Sequence, residues 1–300
     1  MEAHPPPIGT ETLHYLWRKF KKLIPYVIIG FVIGIFSICI VKDYSLLQVL
    51  TLTVYALPQL FLISESGIYI DSTMPNVVIW YLSAMFIAML ILYPLLRKNT
   101  NFFIHVLAPI IFLLTIGYIC VTYGHLNLWV QWTGFTSAGL IRALGEISLG
   151  CFGYALCQKL SQVSFGILGK IILSFIAICG YLVVIVKAFG SINAFSFMAL
   201  LFLFVSVVIT FSNKGLLSHA FKNKSFTRLA DLTMVLFLCQ CSIRVLFTSG
   251  MLFGDFDPVI RFVAYCVSSI VLAVIIYILV TYMKKVWRVL PAKYKSVFWE

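Results

Sequence analysis

Arg142 and Glu146 stand four residues apart in an otherwise apolar run, Ile141-Arg-Ala-Leu-Gly-Glu-Ile-Ser-Leu-Gly150. On a helix that spacing puts both side chains on one face. A guanidinium offers five N–H donors in a planar fork, and a carboxylate accepts hydroxyl or N–H donors or takes up a proton. The pair can hold a polar ligand, or it can be a self-neutralising ion pair that joins helices. The sequence leaves both readings open. Five histidines are candidates for a general base. His125 follows Tyr123-Gly124 in a segment with Trp129 and Trp132, whereas His4, His14, His105 and His219 fall in polar segments or near the ends of apolar ones. A histidine without a positioned partner is little evidence of catalysis. Gln240, between Cys239 and Cys241, is a polar side chain in an apolar run and needs partners. Arg18, Lys19, Lys21 and Lys22 form a basic cluster suited to an anion or to an anionic membrane surface.

The elements that position these residues are set by composition. Of 300 residues, 62% are hydrophobic and 11% charged, and mean hydropathy is +1.04. Soluble domains carry about twice that charged share. The apolar runs match the roughly 20 residues that a helix needs to cross the hydrocarbon core. Amides in lipid must be satisfied within each helix, so the fold class expected is all-α, a polytopic transmembrane helical bundle. Spans are expected at 24–41, 77–95, 103–122, 138–158, 166–187, 194–212, 229–248 and 259–282. The run 45–64 contains Pro58 and Gln59 and leads into Ser64-Glu65-Ser66-Gly67. It reads as a re-entrant or interfacial helix. Residues 1–22 read as a cytoplasmic amphipathic lead-in, 23–283 as one membrane domain, and 284–300 as a cytoplasmic basic tail.

Lys and Arg beside span ends mark the cytoplasmic side. Four patches fall there together if 45–64 does not cross: Arg18 to Lys22, Arg97-Lys98, the loop with Lys214, Lys222, Lys224 and Arg228, and the tail with Lys284, Lys285, Arg288, Lys293 and Lys295. Both termini are then cytoplasmic. Lys170 and Lys187 sit near span ends and read as snorkelling to headgroups. Arg261 is expected to pair with Asp255 or Asp257 in an outer loop. The net charge of +12 is accounted for by topology and lipid attraction, and no motif points to nucleic acid. Residues 1–12 hold Pro5-Pro6-Pro7 and no apolar core, so no cleavable signal is expected. All eight cysteines fall in apolar runs and read as packing residues, so neither a metal site nor a disulfide is expected. Gly139, Gly145, Gly150 and Gly153 recur along one run, which signals close helix packing. Trp and Tyr near span ends read as interfacial anchors, Trp80-Tyr81 included.

Four stretches, in order, resemble acyltransferase family 3, integral-membrane enzymes that move acyl groups, typically acetyl, onto cell-surface sugars. Arg18-Lys-Phe-Lys-Lys-Leu-Ile-Pro25 resembles the basic run that opens the family's third helix. Asn76 to Phe86, followed by Tyr93-Pro94-Leu-Leu-Arg-Lys98, resembles its Trp-Tyr-Leu helix. Arg142 to Gly150 resembles its Arg–Glu–Gly helix. Leu229 to Gln240 sits where the family has a helix often ending in His. The chain departs from the pattern at its start, where the family's first two helices and their catalytic His have no counterpart. Lys19 and Lys22 replace an Arg-x-x-Arg pair, keeping charge but losing bidentate geometry.

The resemblance implies an acyltransferase, of the class that transfers groups other than amino-acyl groups. The donor would be cytoplasmic acyl-CoA, a co-substrate rather than a bound cofactor, with its phosphates on Arg18, Lys19, Lys21 and Lys22. The acceptor would be a hydroxyl of a cell-surface glycan or its precursor, in an outward pocket of Trp80, Tyr81, Arg142, Glu146 and Gln240. The catalytic residue stays unknown, with Glu146 and His125 as candidates. The bilayer, acyl-CoA and a glycan are the partners implied, in a bacterial plasma membrane. Two alternatives stay open: an inactive homologue or partner subunit, and a transporter of a glycan or small solute.

Overall fold

Long apolar blocks leave the backbone no partner but itself, and the computed structural model is accordingly helical. It describes residues 7–64, 75–215, 218 and 224–289. His4, His219, Lys222, Lys293, Lys295 and most of the 65–76 loop lie outside the described residues. The helices are α1 (Ile8–Lys42), α2 (Leu46–Ala56), α3 (Ile79–Lys98), α4 (Thr100–Tyr123), α5 (Ala138–Gln162), α6 (Ile167–Ala188), α7 (Phe195–Phe211), α8 (Lys224–Thr248) and α9 (Pro258–Val289). Among the described residues no strand forms, and seven helices are long and apolar enough to cross a membrane. The chain is a polytopic helical membrane protein.

Two expected spans come out differently. The lead-in and the first span are one continuous helix, α1, with Pro25 inside it. The expected span 194–212 is the 17-residue α7, about 25 Å long and at the short end of what crosses. The run 45–64 forms the 11-residue α2, about 16 Å long and too short to span. Ser45 caps it: the Ser45 backbone N–H donates to Gln48 Oε1 at 2.9 Å. A 3-10 turn, Leu57–Gln59, follows at Pro58. Helix α4 opens with a π segment, Phe103–Leu107, where the Ala108 N–H donates to the Phe103 carbonyl. Pro109 has no N–H for the His105 carbonyl, which loosens the ladder there.

The described residues fall into two compact units. The first holds α1 up to Arg18, α3 from Trp80, and α4 to α7. Within it, Ile116 and Ile119 of α4 pack with Leu126, Leu128, Ala138 and Ile141, and Ala84 and Ala88 of α3 pack on Ala143. Helix α5 thus packs against neighbours on both sides of its first turns. Its apolar window is 39% buried, the highest share of the seven spans. Glycines permit the approach. A Cβ at Gly139 would lie 2.9 Å from the Trp80 ring and 2.9 Å from the Trp129 carbonyl, and one at Gly145 would meet Thr115 Oγ1. Gly150 has nothing nearby, so it is not one of the packing glycines.

The second unit holds α1 from Lys19, α2, residues 75–79, α8 and α9. Its polar knot is buried. Asn76 Nδ2 donates to the Leu238 carbonyl at 2.6 Å, and Ser242 Oγ donates to the Gly30 carbonyl at 2.7 Å. Arg261 does not pair with Asp255 or Asp257. It donates to the Gly254 carbonyl at 2.6 Å, while Asp257 Oδ1 caps α9 by accepting from the Val259 N–H at 2.8 Å.

Candidate functional site

The first turn of α5 fixes the candidate site. Ser137 caps the helix, its Oγ accepting from the Leu140 N–H at 3.2 Å. Arg142 and Glu146 follow on one face. Arg142 Nε donates to Glu146 Oε1 at 2.6 Å, and Nη1 donates to the Leu126 carbonyl at 2.7 Å. The guanidinium therefore ties the helix to the loop that follows α4. That loop starts at Gly124, whose φ of +71° ends α4 in a left-handed cap. Arg142 and Glu146 remain 27% and 17% exposed, so the pair is sheltered without being sealed.

The exposed part of the pair opens into a cavity of about 720 Å³ within the first unit. Its polar lining comes from Arg142, Glu146, Asn127, Lys187, Ser191 and Ser196. The other walls are mostly aliphatic residues of α6, α7 and the turn between them, with Leu126 from the loop after α4. Lys187, in the last turn of α6, was expected only to reach headgroups. It lines this cavity instead, donating to the Ser191 carbonyl and, at 2.6 Å, to Asn193 Oδ1. Sequence missed this because the α6–α7 turn that carries Ser191 and Asn193 brings it there.

The other expected site residues are placed as follows. Tyr81 is half-buried on α3. Trp80 packs edge-on to Tyr81, with ring centroids 5.7 Å apart, and lies over Gly139. Neither Trp80 nor Tyr81 lines the cavity. His125 has a buried Nδ1 without a hydrogen-bond partner; its neighbours Leu126 and Asn127 line the cavity. Gln240 belongs to the second unit, on α8, where its backbone carbonyl accepts from Tyr265 Oη at 3.3 Å. His14 and His105 are exposed.

On α1, Arg18, Lys21 and Lys22 share a face by their spacing, and Lys19 lies one turn from Lys22. Lys22 Nζ is 3.9 Å from Asp231 Oδ1, with the two side chains 60% and 48% exposed. A second cluster escaped the sequence reading. Glu11, the one acidic residue of α1, accepts from Tyr93 Oη at 2.9 Å and from Arg97 Nε at 2.9 Å. Tyr15 stacks on Tyr93 with centroids 4.5 Å apart. A lone carboxylate in a long apolar helix was the available signal.

A family model described as an acyltransferase domain matches residues 7–278, from the start of α1 well into α9. No curated protein and no solved structure matches the chain.

Proposed function

The chain belongs to acyltransferase family 3, and from that membership we propose that it transfers an acyl group, typically acetyl, from acyl-CoA to a hydroxyl of a cell-surface glycan or its precursor. The single observation that supports an acceptor site is the cavity around the Arg142–Glu146 pair. Spans contain few ionisable residues, and those that line a cavity are the ones a polar ligand needs. In this reading Arg142 fixes the Glu146 carboxylate, and Glu146 receives the acceptor hydroxyl. That oxygen attacks the thioester carbonyl: a C–O bond forms, the C–S bond breaks, and the CoA thiolate leaves. Glu146 and His125 are the candidates to take the hydroxyl proton. Trp80, Tyr81 and Gln240 do not line this cavity and belong to the proposed acceptor set by resemblance alone.

The donor end is assigned to Arg18, Lys19, Lys21 and Lys22, whose charges suit the CoA phosphates. We place both termini on the cytoplasmic side of a bacterial plasma membrane, from the grouping of Lys and Arg beside span ends. The cavity then opens outward, where a surface glycan arrives. The test is Glu146→Gln in membrane vesicles supplied with labelled acyl-CoA and cell-surface glycan. Transfer is expected to fall by at least about 100-fold, the low end for loss of a general base, with the melting temperature of the purified chain held within a few degrees. Undiminished transfer would remove Glu146 from the acceptor site.

A further inference from the structure

Three ionisable side chains line the cavity: Arg142, Glu146 and Lys187. Two are cations and one is an anion, so the lining carries one positive charge in excess. Glu146 answers Arg142 at 2.6 Å. Among the described residues Lys187 has only neutral partners, the Ser191 carbonyl and the Asn193 amide oxygen. An ammonium has three N–H donors, so one remains after these two bonds. Arg142 likewise uses two of its five donors on Glu146 and Leu126. Lys187 is also held in place before any ligand arrives. Asn193 ties the turn together: its Oδ1 accepts from the Phe195 N–H at 3.2 Å, and its Nδ2 donates to Ser191 Oγ at 3.3 Å. A lysine that only reached a headgroup would not need this second layer. A cation fixed in advance loses little freedom on binding.

A cavity of about 720 Å³ holds a ligand of one to a few sugar rings. The complement to its charge is a ligand with one anionic group. We propose that the acceptor is an acidic glycan, with Lys187 binding the carboxylate of a uronic-acid-type sugar while Glu146 accepts a hydroxyl. This rests on the acceptor reading of the Arg142–Glu146 cavity. A phospholipid phosphate shares the same recognition chemistry, so the experiment must separate the two sources.

The full chain in detergent is titrated with three probes: a uronic-acid oligosaccharide, its carboxyl-reduced neutral counterpart, and a short-chain phosphatidylglycerol. The acidic oligosaccharide is expected to bind about tenfold tighter than the neutral one, the value of one charge-assisted hydrogen bond. Lys187→Gln should erase that preference and Lys187→Arg should keep it. Lys170→Gln, at the exposed start of α6, serves as the control and should change nothing. The arginine variant also shows whether the glutamine variant fails through charge or through folding. Equal binding of the two oligosaccharides overturns the proposal, as does a preference that survives Lys187→Gln. Phosphatidylglycerol binding that is lost in Lys187→Gln, with no sugar preference, assigns the cation to lipid and also overturns it. Binding of neither oligosaccharide removes the acceptor reading itself, and is distinguished by the failure of the neutral sugar.

Discussion

Arg142 bridges two acceptors at once, a carboxylate and a loop carbonyl, from two separate nitrogens of its planar fork, Nε and Nη1. Arg142→Lys keeps the charge and loses one of the two bonds. It is expected to cost about 1–3 kcal/mol by leaving a sheltered acceptor unmet, and a detergent melting curve of variant against parent checks it. The pairing with Glu146 was legible in the sequence because i, i+4 geometry is local to a helix. The role of Lys187 was not, since a turn that follows α6 determines where its ammonium goes. Trp80 shows the same limit. By position it reads as an interfacial anchor or a stacking platform, and in the structure it covers Gly139. Gly139→Ala should therefore destabilise the chain by about 1–3 kcal/mol through overpacking. Adding Trp80→Phe removes the ring atoms it meets and should return part of that loss, although the Trp129 carbonyl remains in the way. Unchanged melting of Gly139→Ala would show that Trp80 moves aside without cost.

Helices and their ends were largely readable, because a bilayer-length apolar run has one stable backbone solution. What the pattern did not carry was where a helix begins when a basic segment leads into it. Residues 8–23 contain five basic or acidic side chains and still continue into α1, since nothing in that stretch breaks a helix until Pro25, and α1 runs through it. Two contacts tie down the chain on either side of α2, one within each unit. Glu11, near the start of α1, meets Arg97, near the end of α3. Gly34, far along α1, meets Pro75, four residues before α3. Helix α2 itself, at 11 residues, is too short to span, so the chain between α1 and α3 is expected to leave and return on one side. Reporter fusions after Asp43 and Pro75 should both report the outer side, and a fusion after Asn99 the cytoplasmic side. A cytoplasmic signal at Pro75 would mean that α2 spans and that the charge argument places Arg97 and Lys98 wrongly.

Across the whole molecule, most of each span is unburied within the chain, from 61% of the window in α5 to 83% in α4 and α6. Those faces are apolar and suit lipid, which explains how a chain of 62% hydrophobic residues folds around so few polar contacts. It also explains why composition indicated the class while saying little about chemistry: the polar residues that matter number only a handful. The net charge of +12 is where a function can be separated from topology. If the basic cluster of α1 serves only orientation, CoA should leave the folded state unaffected. If it holds the donor, CoA binds the native state alone and raises stability by about 2.7 kcal/mol at a hundredfold excess over Kd. The shift should shrink at ~0.5 M salt, where the screening length falls to a few ångströms. Lys19→Gln with Lys22→Gln should weaken binding at least about tenfold, as two charge-assisted contacts are lost. Asp231→Asn acts in the opposite direction. Its pair with Lys22 is long and exposed, and such pairs are worth at most about 1 kcal/mol, so the fold should tolerate the change. Freed of the carboxylate, Lys22 presents its full charge to a phosphate, and CoA should bind more tightly. A melting temperature indifferent to CoA in all three proteins would leave the cluster as a topological signal and favour a transporter or a subunit without donor binding.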